Sequence, residues 1–238
     1  MQIIGDKIEA QFEKRLNRFV ARVRINNKSF NVHVPNSGRL AELLTPGARV
    51  ILRDSENPNR KYRYSLIMVY KDGVYISVDS LLPNKLILYA LKTKHAVFKG
   101  DLRTSKLLDY PNIKPEAKYG NSRFDVALGD GSIIKYYIEI KGVTLVEDRI
   151  SMFPDAPTIR GTKHLLELAK AKSEGFGAGV FFVIQREDAD IFSPNDLMDI
   201  KFGQALRAAQ QAGVDVFAYR CKVNPERINI KEAVDVLL

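Results

Sequence analysis

The sequence predicts a mixed α/β protein in two parts, a barrel of short strands followed by an α/β layer. Three observations predict it. Up to residue 80, apolar residues recur with a period of two in short runs. Beyond residue 107, runs rich in Val, Ile and Phe alternate with stretches of helical period, an order that favours parallel pairing. Charge divides at the same place. Residues 1–106 hold 20 Lys and Arg against 9 Asp and Glu, whereas residues 107–238 hold 17 against 19, so the net +9 lies entirely in the first part. A basic module joined to a slightly acidic one suggests that one half grips a polyanion and the other acts on it; solubility alone also explains surplus lysine.

In residues 19–25, Phe19, Ala21, Val23 and Ile25 alternate with Arg22 and Arg24; in residues 29–34, Phe30, Val32 and Val34 alternate with Asn31 and His33. Asn26-Asn27-Lys28 turns between them. The loop Pro35-Asn36-Ser37-Gly38-Arg39 leads to a helical turn at 40–44, and strands at 48–52, 62–70 and 74–78 complete the set. Five short strands with one small helix make an OB-like β-barrel, an architecture used to bind nucleic acid. Backbone N–H groups at Asn36-Ser37-Gly38 and the Arg39 guanidinium suit a phosphate. N-capping by Asn36 or Ser37 explains the same residues. Arg60-Lys61-Tyr62-Arg63-Tyr64 interleaves cations with aromatics, which suits backbone contact and base stacking, although strand alternation also produces it. Arg22, Arg24, Ser37, Arg39, Arg60, Lys61 and Arg63 are this part's candidate DNA contacts.

Residues 81–95 read as a helix beginning near Pro83. Lys85, Lys92, Lys94, Lys99, Arg103 and Lys106 stand against Asp101 alone, so residues 81–106 form a basic connector. The chain thus divides into 1–80, 81–106 and 107–238, and Lys92 and Lys94 join the candidate contacts.

Residues 121–143 carry the most chemistry. Two β-branched and aromatic runs flank Gly129-Asp130-Gly131, a cluster that supplies the positive φ of a tight hairpin. On the second strand Glu139 and Lys141 share one face, with Ile138 and Ile140 on the other. Strand pairing can bring Asp125 beside Glu139. A carboxylate withdrawn from water is costly unless paired or metal-bound, so this trio in apolar surroundings asks for a reason. Phosphodiester hydrolysis supplies one: Asp125 and Glu139 as hard oxygen ligands for Mg²⁺ or Mn²⁺, and Lys141 orienting water or stabilising developing charge. The alternative is a solvated edge strand with an ordinary ion pair.

A loop at 153–161 follows, stiffened by Pro154 and Pro157, which places Asp155 and Arg160 near the site. A helix at 162–174 carries Lys163 and, in its first turn, His164, which reads as a capping or surface residue. Residues 180–185 form a continuous apolar run, expected as a central strand covered on both faces, with Gln185-Arg186 reaching the site from its end. A helix at 195–212, a strand at 214–219 and a terminal helix at 231–238 complete the layer. The lone Cys221 excludes an intramolecular disulfide and a cysteine-based zinc site, and reads as a core thiol. No stretch approaches bilayer-spanning length and the first residues lack a long apolar core, so a cytoplasmic protein without membrane contact is expected.

His33-Val34-Pro35-Asn36-Ser37-Gly38-Arg39-Leu40, Lys118-Tyr119-Gly120-Asn121-Ser122-Arg123-Phe124-Asp125, Phe153-Pro154-Asp155-Ala156-Pro157-Thr158 and Arg160-Gly161 with Lys163-His164-Leu165 together resemble the sugar fermentation stimulation protein family over essentially the whole chain. Asp125 with Glu139-Ile140-Lys141 resembles the core of PD-(D/E)xK nucleases. The resemblance implies a DNA-binding protein with an OB-like N-terminal domain and a PD-(D/E)xK, restriction-endonuclease-like C-terminal domain, linked to regulation of sugar (maltose-type) catabolism. Carried over by position, Asp125, Glu139 and Lys141 match the catalytic core. Glu116, just before that strand, is an additional candidate metal ligand. The superfamily's Pro-Asp pair stands here as Phe124-Asp125, which costs no ligand. Arg123, Arg160 and Lys163 complete the candidate DNA contacts.

Two functions follow from these features. One is a largely sequence-nonspecific DNA-binding protein, its DNA read as double-stranded, with a Mg²⁺- or Mn²⁺-dependent nuclease site. The other is a non-catalytic DNA-binding regulator whose acidic site is structural. Helix-turn-helix spacing and zinc-finger ligands are not evident. Neither a Gly-rich nucleotide loop nor a nucleophile elbow argues for a small-molecule enzyme. A homodimer is left open.

Overall fold

The computed structural model describes residues 1–55, 57 and 59–238. Its N-terminal half is built from β1 (Lys7–Asn17), β2 (Val20–Ile25), β3 (Lys28–His33), β4 (Arg49–Asp54) and β5 (Tyr64–Lys71), hydrogen-bonded in the order β3-β2-β1-β4-β5. A bridge from His33 on β3 to Ser65 on β5 closes the five strands into a barrel, and β6 (Val74–Ser77) extends it beyond β5. Closure removes the open edges that two free outer strands would present. Phe12, Val23, Val32, Val50, Leu66 and Val69 fill the interior.

The first strand of this barrel was not among those expected. Within β1 only Ala10 and Phe12 are buried, while Glu9, Gln11, Lys14, Leu16 and Asn17 face solvent. Its alternation is therefore carried by two residues, too few to stand out from the charged residues between them.

After the barrel come α1 (Leu82–Lys92), the short turns α2 (Ala96–Gly100) and α3 (Leu102–Ser105), and then β7 (Asn112–Tyr119), β8 (Ser122–Asp130) and β9 (Ile133–Val143). A small hairpin of β10 (Leu145–Glu147) and β11 (Ile150–Phe153) leads to α4 (Ile159–Ser173), β12 (Gly177–Ile184), β13 (Ile191–Pro194), α5 (Asp196–Gln211) and β14 (Asp215–Asn224). The main sheet runs β14-β12-β9-β8-β7, with β9, β12 and β14 mutually parallel and β7 and β8 antiparallel. Every residue of β12 from Ala178 to Ile184 is buried, because both faces are covered. On one face, Leu165 and Leu168 of α4 and Phe202 and Leu206 of α5 join Val180 and Phe182. On the other, Leu86, Ile87 and Ala90 of α1 join Ile138, Ile140 and Phe181. Cys221 is buried in the latter cluster, as expected of a core thiol.

The hairpin between β8 and β9 uses its glycines for two different reasons. Gly131 takes φ +57°, the left-handed conformation that glycine adopts without steric cost. Gly129 is needed for space, since a Cβ there would lie 2.1 Å from the Ile133 carbonyl oxygen, at the point where the register shifts.

The terminal helix expected at 231–238 is absent. Residues there continue β15 (Arg227–Ala233), antiparallel to β14, and then β16 (Asp235–Val236), which pairs with β13. Ile228 and Ile230 insert into the core at period two, and the open edge of β14 satisfies the ladder. Tertiary pairing overrode a helix-compatible composition. Barrel and sheet also join directly: the Ser77 amide donates to the Gln185 carbonyl at 3.0 Å. Among the described residues no helix is long and apolar enough to cross a membrane.

Candidate active site

The β8–β9 ladder ends with the pair Val126 and Ile138, and Asp125 and Glu139 follow just beyond it on their two strands. There the ladder changes character. The Ile140 amide, instead of reaching a backbone carbonyl of β8, donates to Asp125 Oδ2 at 2.7 Å. Asn84, in the first turn of α1, donates to Asp125 Oδ1 at 2.7 Å. Asp125 is thus held from both sides at the point where the strands part. Burial, and then the neighbouring Glu139 charge, push its carboxyl up to about 6.

Glu139 is 3% exposed. Burial alone would raise its carboxyl, but hydrogen bonds from His164 and Lys141 outweigh that and hold it below the usual range. Both donors fall on one oxygen: Lys141 Nζ lies 2.5 Å from Oε1, and His164 Nδ1 lies 2.5 Å from the same atom. The other oxygen, Oε2, is buried with no hydrogen-bond partner among the described residues. A buried anionic oxygen without a donor is costly, and a hard divalent cation would satisfy it. Together with Asp125 on the neighbouring strand, the donor set fits Mg²⁺ or Mn²⁺.

A third acid does not join them. Glu116 falls opposite Asp125 in the β7–β8 register, but its backbone takes φ +54° and its exposed side chain pairs with Arg123 at 3.7 Å. No cluster of three or more His, Cys, Asp or Glu disposed to hold a metal occurs among the described residues.

His164 is neither a cap nor a surface residue. It is 5% exposed, packs edge-on to Phe124 with ring centroids 6.2 Å apart, and receives Arg160 Nε at its Nε2, 3.4 Å away. The sequence alone placed it outside because a lone histidine in the first turn of a helix is more often a cap or a surface residue. The usable signal was its spacing of four and seven from Leu168 and Ala171, the buried stripe of α4. Asn84 carried no comparable signal.

The remaining candidates are dispersed. Ser37 and Arg39 line a groove of about 550 Å³ with Arg15, Arg18 and, from the C-terminal half, Ala156 and Pro157. Arg15 is committed internally, donating to the carbonyls of Asn17, Arg18, Asn36 and Arg39. Arg18 and Arg39 form no ion pair among the described residues. Arg24 pairs with Glu13 at 2.9 Å, Arg63 with Asp54 at 2.7 Å, and Lys163 with Glu167 at 3.6 Å. Arg22 reaches Asn31 at 3.4 Å, Lys61 lies over Tyr62, and Arg60 is exposed. Lys92 ends α1, about 12 Å along the helix from Asn84 by helical rise, and Lys94 follows it. Asp155 and Gln185 line a cleft of about 200 Å³ with Ser37, Gly38 and Gly142, and Arg186 is bound to Asp188 and the Thr144 carbonyl.

Comparison with known proteins gives matches at every level. A family model described as the SfsA N-terminal OB domain matches residues 14–78, and one described as the sugar fermentation stimulation protein RE domain matches residues 81–227. A sugar fermentation stimulation protein homolog of Clostridium tetani is 50% identical over 229 residues, covering 96% of each chain. That of Clostridium novyi is 48% identical over 235 residues and covers 99% of each. The solved structure of Pyrococcus furiosus SfsA in complex with Ca²⁺ is 26% identical, covers 100% of both chains and superposes with a TM-score of 0.86.

Proposed function

The chain belongs to the sugar fermentation stimulation protein family, and from that membership and the carboxylates on β8 and β9 we propose that it is a DNA-binding protein, largely indifferent to base sequence, with a metal-dependent site for phosphodiester hydrolysis. The observation that carries the reading is Glu139 Oε2, a buried carboxylate oxygen without a donor among the described residues, close enough to Asp125 for the Glu139 charge to push the Asp125 carboxyl up. Mg²⁺ or Mn²⁺, when bound, supplies a Lewis acid for the phosphoryl oxygen and a more acidic water. Asp125 and Glu139 would hold it. The Asn84 and Ile140 donors keep the Asp125 carboxylate from turning, and Lys141, 15% exposed, retains N–H groups for a phosphate oxygen or the attacking water. The Ca²⁺ complex of the Pyrococcus furiosus relative supports the assignment, since Ca²⁺ and Mg²⁺ both take hard oxygen donors. On the barrel side, the groove with Arg18 and Arg39 offers guanidinium groups to a phosphate backbone.

One observation favours a second reading, a DNA-binding regulator of sugar catabolism that does not cut. Among the described residues only two acids meet at the site, and Lys141 is bonded to one of them. Gel-shift and turnover assays on a short duplex separate the two. Binding in Ca²⁺, with hydrolysis when Mg²⁺ or Mn²⁺ replaces it and none in EDTA, supports the nuclease. Binding that is equal in all three, without hydrolysis, leaves the regulator.

A further inference from the structure

The two donors on Glu139 Oε1 do not have the same origin. Lys141 comes from the same strand, two residues on, whereas His164 comes from α4 and brings a second residue with it. Arg160 lies one helical turn earlier on the same face, so its guanidinium meets the far side of the imidazole. An arginine has no acceptor, so at the Arg160 contact Nε2 is the accepting nitrogen. A neutral ring then carries its hydrogen on Nδ1, where Glu139 Oε1 accepts it at 2.5 Å. The edge-on contact with Phe124 sets the ring plane, and burial keeps the ring from substrate.

From this geometry, and resting on the metal-site reading above, we infer that Arg160 and His164 form a positioning pair: Arg160 selects the imidazole tautomer, His164 pins Glu139 Oε1, and Oε2 is thereby presented to the cation. With donors from two directions on Oε1, the carboxylate plane cannot rotate, and Oε2 stays bare. The start of α4 is itself anchored, since Thr158 Oγ1 accepts from the Gly161 amide at 3.0 Å and the Thr158 amide donates to Asp199 Oδ2 at 2.8 Å. Neither residue of the pair is assigned to the chemistry; both act through Glu139.

The test is Mn²⁺ binding by the full chain without DNA, read from the free-ion electron paramagnetic resonance signal, with melting temperatures in EDTA as a folding control. His164→Leu should lose Mn²⁺ affinity by about 10- to 100-fold, the usual cost of removing a partner of a metal ligand. His164→Asn, whose amide nitrogen takes the place of Nδ1–H, should stay near wild type, a rescue that a merely space-filling histidine would not produce. Arg160→Met, at an exposed position, should show a smaller loss while folding normally. His164→Leu binding as tightly as wild type overturns the inference, as does Asn falling as far as Leu, which would put the ring itself on the ion. If the Leu protein does not fold, Arg160→Met binding equal to wild type overturns the pair. Wild type that binds no Mn²⁺ overturns the metal site and the pair with it, whereas a loss confined to the variants belongs to the pair alone.

Discussion

At the scale of single residues, Asp125 and Glu139 show how one environment sets two carboxylates apart. They sit on neighbouring strands just beyond a ladder's last pair and both are withdrawn from water, yet Glu139 takes two donors with positive or polarised hydrogens and stays ionised, while Asp125 is pushed up to about 6. The sign of the resulting pH effect follows from proton counting. Between the ordinary aspartate value of 3.8 and about 6, the folded protein binds more protons at Asp125 than the unfolded chain does. Stability from this group is therefore full at low pH and declines as pH rises through that window. In EDTA, Asp125→Asn should be more stable than wild type at pH 7–8 by about 1–3 kcal/mol, from 1.36 kcal/mol per pKa unit. The gain should vanish below pH 4. Urea titrations of both proteins at pH 4 and pH 8 check this, and equal differences at the two pH values would contradict it.

At the scale of elements, the hairpin of β8 and β9 was legible because its signals are local. The β-branched and aromatic runs, the Gly-Asp-Gly turn and the Glu139-Ile140-Lys141 pattern all lie within residues 121–143. The same holds for β12, whose unbroken apolar run admits only a strand covered on both faces. What stayed hidden depends on partners distant in sequence. Residues 231–238 become strand because β14 and β13 offer edges, and His164 is buried because α4 lies over Glu139. Asn84 reaches Asp125 across 41 positions, and no sequence period encodes that. The hairpin geometry is directly testable. Gly129→Val should cost about 2–3 kcal/mol, because a Cβ 2.1 Å from the Ile133 oxygen forces the backbone to move. A urea midpoint unchanged from wild type would show that the turn does not need the close approach.

At the scale of the whole molecule, the barrel and the sheet meet where Ser77 bonds Gln185, and the groove holding Arg18 and Arg39 is lined from both halves of the chain. A polyanion held there should show log affinity falling linearly with log salt, at about 0.9 per phosphate neutralised. Replacing Arg18 and Arg39 together with Ala should lower that slope by about 2, one for each lost phosphate contact, without sequence preference. An unchanged slope would move the DNA path elsewhere. Asp125 and Glu139 would hold a cation for phosphodiester cleavage, and one experiment meets that proposal head-on: nicking of supercoiled plasmid in Mn²⁺ by wild type and by Glu139→Gln, which retains shape but loses the anionic oxygen. Wild type should nick, EDTA should stop it, and Glu139→Gln should be slower by about 100-fold or more, on the scale of a lost electrostatic catalytic group. Nicking by Glu139→Gln at the wild-type rate, or none by wild type in any divalent cation, would rule out a metal-dependent nuclease site at Asp125 and Glu139.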